Sequence, residues 1–294
     1  MTTLDQSSEA RPVSSTRAKT RRRPAGRGSR RWGTSAALLI ITVIVLIPLG
    51  VILLLSVQPS SSSSTTSAFT LENFAFVFGQ TDVLRWLGNS LGVTLATVVV
   101  SVIVAAPAGY VLSRGRSRAV QGYSLLLFVV QSLPIITSII PLFILFAQFG
   151  LSDSLVGLTV VYVGSTVAVA TWMMAAYIDT IPITLEEASW VDGASMFGSF
   201  LRIVMRNSLP GVLSTAIFSF LLAWNDFLVA LIFLRSSEHF TLPIGLETFF
   251  QQNSANWGAI MAVSVVMLLP PAILFATLNR YFSVGGIGGS LAGR

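Results

Sequence analysis

Six long apolar runs divide this chain and leave little choice of solvent. They cover Gly33–Val57, Asn89–Leu112, Val120–Gln148, Leu155–Ile178, Leu209–Leu234 and Trp257–Tyr281. Each holds at least the roughly 20 residues that a helix needs to cross a hydrocarbon layer about 30 Å thick. Composition agrees: 53% of the 294 residues are hydrophobic and only 10% are charged, where a soluble domain would carry about a quarter charged residues. So few charges cannot cover a surface that faces water, and lipid is the implied solvent. The expected fold is all-α, with six transmembrane helices. The first run is longer than the apolar core of a cleavable signal and ends in no clear small-x-small cleavage site, so it is read as an uncleaved first span. Pro134 and Pro141 predict a kinked or broken third helix, either as packing geometry or as a gate.

What the chain lacks narrows its chemistry. It has no cysteine, one histidine (His239) and one lysine (Lys19). Disulfides, thiolate metal sites, cysteine nucleophiles and multi-histidine metal centres are therefore excluded, and no resident cofactor is expected. His239 reads as a solvated loop residue.

Charge then orients the spans. Residues 1–31 hold nine of the 18 basic residues among Ser, Thr, Pro and Gly, with no apolar period, and read as a disordered tail. Arg21-Arg22-Arg23 could suggest a twin-arginine signal or a nucleic-acid arm. The reading adopted is a tail that attracts anionic headgroups and fixes topology, with no nucleic-acid partner. Six spans put both termini on one side. With them lie Arg114, Arg116, Arg118, Arg202, Arg206, Arg280 and Arg294, leaving Arg85 and Arg235 opposite. The positive-inside rule makes that side the cytoplasm. The expected organisation is a tail over 1–31, a six-helix domain over 32–284, a loop of special character over 180–206, and a cytoplasmic tail over 285–294.

That loop has helical signals of its own. Thr184-Leu185-Glu186-Glu187 fits a capping box, in which the threonine oxygen and Glu187 satisfy first-turn amides reciprocally. Leu185, Ala188 and Val191 recur at helical spacing, Gly193 permits a turn, and Phe197, Phe200, Leu201 and Val204 mark a second amphipathic helix. Such a pair could lie in the headgroups, pack under the bundle, or present a surface to a cytoplasmic partner.

The loop resembles the EAA loop of ABC importer permeases, in which Glu-Ala-Ala is followed by Gly at a fixed spacing and then by Ile-x-Leu-Pro. Glu187-Ala188-Ser189, Gly193 and Ile203 stand at the family spacing, with Ser189 for the second alanine and Met205-Arg206 for the final Leu-Pro. The segment over 185–194 is similar to the form seen in carbohydrate-uptake permeases resembling the second maltose permease subunit. So are Ala223-Trp224-Asn225-Asp226-Phe227-Leu228 and Thr241-Leu242-Pro243-Ile244-Gly245-Leu246.

The resemblance implies a type I importer permease fold with cytoplasmic coupling helices, set in a bacterial cell membrane. It implies a homologous second permease, two cytoplasmic ATPase subunits, an extracytoplasmic solute-binding protein and a sugar substrate. ATP and magnesium would be bound by the ATPase, because a phosphate-binding loop needs a lysine that no span or loop here supplies. It assigns coupling to Glu186, Glu187, Ala188, Asp192, Gly193, Ala194 and Ile203, and contact with the binding protein to Gln251, Gln252, Asn253, Ser254 and Asn256. An acid within a span is costly and usually functional. Asn225 and Asp226 therefore read either as a wall of the substrate path or as an interhelical hydrogen bond that fixes the permease pair, with Gln131, Thr137 and Ser138 as further path candidates. The alternatives are an importer for another solute, such as glycerol phosphate, and an ion-coupled secondary transporter. The latter would call for intramembrane charges at matching positions of two repeats.

Overall fold

The structure, a computed structural model, describes residues 27–59, 69–250 and 256–285. In chain order these form α1 (Arg27–Ser56), α2 (Glu72–Gln80), α3 (Val83–Arg114), α4 (Arg118–Ser132), α5 (Ile135–Gln148), α6 (Leu155–Ile178) and α7 (Thr184–Val191). Then come α8 (Met196–Ser199), a π-helical turn (Phe200–Val204), α9 (Met205–Asn207), α10 (Leu209–Trp224), α11 (Leu228–Phe233), α12 (Leu242–Glu247) and α13 (Trp257–Gly285). No strand occurs among the described residues. Residues 1–49 and 50–294 make two units. Of the first, the described part is the bulk of α1, which begins at Arg27, inside the stretch expected to be tail.

Four helical stretches are individually long and apolar enough to cross a membrane: Thr34–Ser56, Val83–Arg114, Leu155–Ile178 and Trp257–Leu278. Bent pairs bring the number to six. In the third span α4 and α5 meet at 95°, across Leu133 and Pro134. Proline cannot donate to the helical ladder and drives the residue before it toward extended backbone, and Leu133 has ψ 120°. Pro141 lies within α5 without ending it. The expected break is therefore made by one proline of the two.

The fifth span departs from the expected continuous helix over 209–234. α10 ends at Trp224 and α11 begins at Leu228. Short polar side chains in between compete for the backbone: Asn225 Nδ2 donates back to the Leu221 carbonyl (2.8 Å), and Asp226 Oδ2 accepts from the Ala230 amide (3.1 Å). At the entry to α10 the chain turns by 74° between 196–207 and 209–224. Pro210 stands in the first turn, where its missing N–H costs nothing.

α3 and α6 form the centre of the second unit and pack through small residues. Ala105, Ala106, Ala170 and Met174 are buried between them, and Ser101 Oγ lies 2.7 Å from Thr166 Oγ1. Small side chains let membrane helices approach closely, since expulsion of water cannot drive association in lipid. A Cβ added to Gly109 would sit 2.6 Å from Met174 Cβ and 2.9 Å from the Ala175 nitrogen. By contrast α4 buries only Leu127 and α5 only Ile139. Gly109→Leu should overpack this contact at a cost of about 1–3 kcal/mol. The measurement is the thermal unfolding midpoint in detergent, which should fall below that of the parent chain, whereas Gly122→Leu, at a site with open space, should leave it unchanged.

Candidate functional site

The expected helix-turn-helix forms, by partly different means. α7 starts at the supposed cap itself, Thr184, and its N-cap is Ile183, one residue earlier. Ile183 is already in the helical region (φ −62°, ψ −25°), and its carbonyl accepts from Glu186 and Glu187 while that of Pro182 accepts from Leu185. Thr184 is thus inside the helix, no side chain caps it, and the capping box is not made. The far end is a Schellman motif: the Gly193 amide donates to Trp190 and the Ala194 amide to Ser189. Gly193 has φ +88° and nothing near its Cβ position, so glycine is required for its backbone angle and not for packing. Ser195 then caps α8 by accepting from the Gly198 amide (3.1 Å).

Which face looks inward was not evident beforehand. Glu186 is 0% exposed, while Val191 is 88% exposed and Leu185, Ala188, Glu187 and Asp192 are also exposed. α7 therefore buries an acid and displays its apolar stripe. Glu186 accepts from Tyr110 Oη (2.7 Å) and is gripped by Arg114 through Nε and Nη2, both 2.8 Å away. In α8 and the π-turn Phe200 and Val204 point in, while Met196, Phe197 and Leu201 are exposed. Ala194 and Ile203 are half-buried. Ser189, the departure from alanine, donates to the Glu186 carbonyl and pairs with Ser199 Oγ (both 2.8 Å), tying α7 to α8. Arg206 is exposed on α9, and the sharp entry to α10 is made at Asn207–Ser208 without a proline there.

A cavity of about 590 Å³ lies between the α4–α5 break, α6 and the α10–α11 break. Its polar lining is Gln131, Ser138, Tyr162, Ser165, Thr166 and Asp226, and the rest is mostly aliphatic, with Phe146. Three of the five expected path residues meet there: Gln131, Ser138 and Asp226. Thr137 and Asn225 are exposed elsewhere and bond back to the Pro134 and Leu221 carbonyls. Asp226 Oδ2 also accepts from Tyr162 Oη (2.7 Å). Asp226 thus lines the cavity and is bonded to α6 of its own chain, where the sequence reading offers a bond that fixes the permease pair. Tyr162 escaped notice in the sequence, where a tyrosine in an apolar run has no distinguishing mark.

At the other end of α3 the 235–247 segment is fastened. Trp86 Nε1 donates to the Ser237 carbonyl (3.1 Å), Asn89 Nδ2 to those of Glu238 and Phe240 (2.8 and 2.9 Å), and the Leu242 amide to Ser90 Oγ (2.7 Å). Trp86 also covers Gly245 so closely that a Cβ there would strike its ring. Asp153 (φ +50°) accepts from the Arg235 and Ser236 amides (2.8 and 3.1 Å), and His239 Nδ1 lies 3.3 Å from it. His239 is thus paired where a merely solvated residue was expected. Gln251, Gln252, Asn253 and Ser254 lie outside the described residues. Asn256 is exposed and its side chain accepts from the Ala259 amide (3.1 Å), opening α13.

Six spans, a helical loop docked on one end and a cavity at broken helices define a transport permease. The model of the family described as binding-protein-dependent transport system inner membrane component matches residues 101–284, and the chain belongs to that family. It is 29% identical over 229 residues to the maltodextrin transport system permease protein MdxG of Bacillus subtilis (strain 168), covering 78% of this chain and 82% of that one. It is 32% identical over 229 residues to the arabinooligosaccharides transport system permease protein AraQ of Halalkalibacterium halodurans, with 76% and 81% covered. Its fold matches a chain from the crystal structure of a bacterial ABC transporter involved in the import of the acidic polysaccharide alginate. The TM-score is 0.74 at 20% identity, with 87% of this chain and 98% of that one covered.

Burial works against charge at Asp153, but the two amides, the Ser236 hydroxyl and His239 more than offset it and hold the carboxyl at about 2. Its unfolded value is about 3.9. A depressed folded value gives stabilisation that is complete above about pH 4 and lost as pH falls toward 2. Hydrogen-exchange protection of the Arg235 and Ser236 amides should therefore be constant from pH 8 to about 5 and decline below about 4. Asp153→Asn should weaken it throughout that range.

Proposed function

We propose that this chain is the permease of an ATP-driven, binding-protein-dependent importer of a sugar or oligosaccharide. A homologous second permease completes the path, two cytoplasmic ATPase subunits bind ATP and magnesium, and a solute-binding protein delivers substrate at the opposite face. The observation that carries the ATPase contact is the inverted α7. A helix that buries its glutamate and displays Leu185 and Val191 is built to dock, and Met196, Phe197 and Leu201 extend the same apolar surface. Glu187 and Asp192 supply its polar rim.

Orientation rests on charge. Arg114, Arg116, Arg118, Arg202 and Arg206 lie toward the α7 end and Arg85 and Arg235 toward the other, so α7 is cytoplasmic by the positive-inside rule. Both termini then face the cytoplasm of a bacterial cell. The 235–256 stretch faces outward, where Asn256 and the neighbouring Gln251–Ser254 segment would meet the binding protein.

A sugar is favoured because the relatives named above handle maltodextrin and arabinooligosaccharides. The cavity suits it as well: hydroxyl and amide groups at Gln131, Ser138, Tyr162 and Ser165 can exchange hydrogen bonds with a neutral polyol. Among the described residues no basic side chain lines it to balance a phosphate, which disfavours glycerol phosphate within this subunit.

A side chain forced to φ +88° costs about 1–3 kcal/mol. Gly193→Trp also places bulk on the docking face. In vesicles holding the whole transporter, it should lower solute uptake by about tenfold or more while the chain still inserts and retains its partner permease. Unchanged uptake in that variant would remove the docking assignment.

A further inference from the structure

The outward face of α7 does not use Glu186. That carboxylate has no exposure, and water cannot stabilise it. Its partners come from α3: Tyr110 on one oxygen, and Arg114 on the other through two donors. The same guanidinium donates to the Ile181 carbonyl (2.9 Å), just beyond α6, and Ser113 Oγ donates to Asp179 Oδ1 (2.6 Å) at the end of α6. Around this cluster the contacts are apolar and undirected: Phe200 lies on the Tyr110 ring at 5.0 Å, and Ile181 and Val204 fill the space beneath. The directional bonds therefore join three elements at one point. One of them, α6, carries Tyr162, Ser165 and Thr166 to the cavity.

We propose that Glu186, held by Arg114 and Tyr110, is a positioning residue that makes α7, α3 and α6 one rigid body, so that displacement of the loop reaches the cavity wall undiminished. The proposal rests on the reading of α7 as the docking helix. A loop held only by greasy contacts could slide or tilt under load, because such contacts have no preferred direction. A buried, multiply bonded ion pair has one geometry and resists both motions. Nothing in the docking surface itself requires an ion pair on the hidden side of the helix.

The absence of cysteine from the sequence permits a direct test in the assembled transporter. Thr184→Cys on α7 and Val111→Cys on α3, both exposed, would carry spin labels. Their separation would be measured without nucleotide and with ATP trapped. The expected result is one narrow distance in both states. Glu186→Gln should keep the ATPase subunits bound, broaden that distance on trapping, and lower uptake by about tenfold or more. Should that variant fail to insert, Arg114→Met with Glu186→Met leaves no unpaired charge and is expected to give the same broad distance and low uptake. A parent distance that changes on trapping would overturn the proposal. So would normal uptake with a narrow distance in either variant, or loss of the ATPase subunits from Glu186→Gln. Failure of the docking reading is visible separately: Gly193→Trp would then retain solute-stimulated ATP hydrolysis, whatever the labels report.

Discussion

A carboxylate without solvent must be fully bonded, and Glu186 is the place where this chain meets that demand. Tyr110 and Arg114 satisfy it from the last turns of α3, which fixes the rotation of α7 about its own axis. With Glu186 inside, Leu185 and Val191 can only be outside. The apolar surface is therefore a consequence of where one charge is paired. The Schellman turn at Gly193 and the Ser189–Ser199 bond then set α8, with its exposed Met196 and Phe197, beside α7. At the opposite end of α3, Trp86, Asn89 and Ser90 hold the 235–242 segment in a comparable way. A single long helix thus has a bonded loop at each end, and α6 packs along it through small residues between them.

Much of this was legible in the sequence. Six apolar runs set the spans, Pro134 marked the break in the third, and the spacing of Glu187, Gly193 and Ile203 located the loop. What escaped reading depended on partners distant in sequence. Periodicity shows that Leu185, Ala188 and Val191 share a face, but only Arg114, 72 residues earlier, determines that this face looks outward. Thr184 and Glu187 match the capping-box pattern, yet the carbonyls of Pro182 and Ile183 satisfy the first amides and start the helix earlier. The fifth span reads as continuous because Asn225 and Asp226 are only two polar residues in an apolar run. Their side chains reach back and forward to the backbone and interrupt it.

That interruption has a use. Both broken spans and α6 line one cavity, which lies where the ladders of the two spans stop. Irregular backbone within a membrane is tolerated where it lines a cavity or is buried in protein, and here both breaks are placed so. Tyr162 holds Asp226 at the edge of the cavity, and α4 and α5 each bury a single residue.

The most direct test of this account is where Val191 points in the assembled transporter. A photoactivatable crosslinker attached to Val191→Cys, in a sequence with no other cysteine, should form an adduct with a cytoplasmic ATPase subunit. Adducts with lipid or with this chain's own helices, and none with an ATPase, would contradict the claim that α7 turns its apolar face toward a partner.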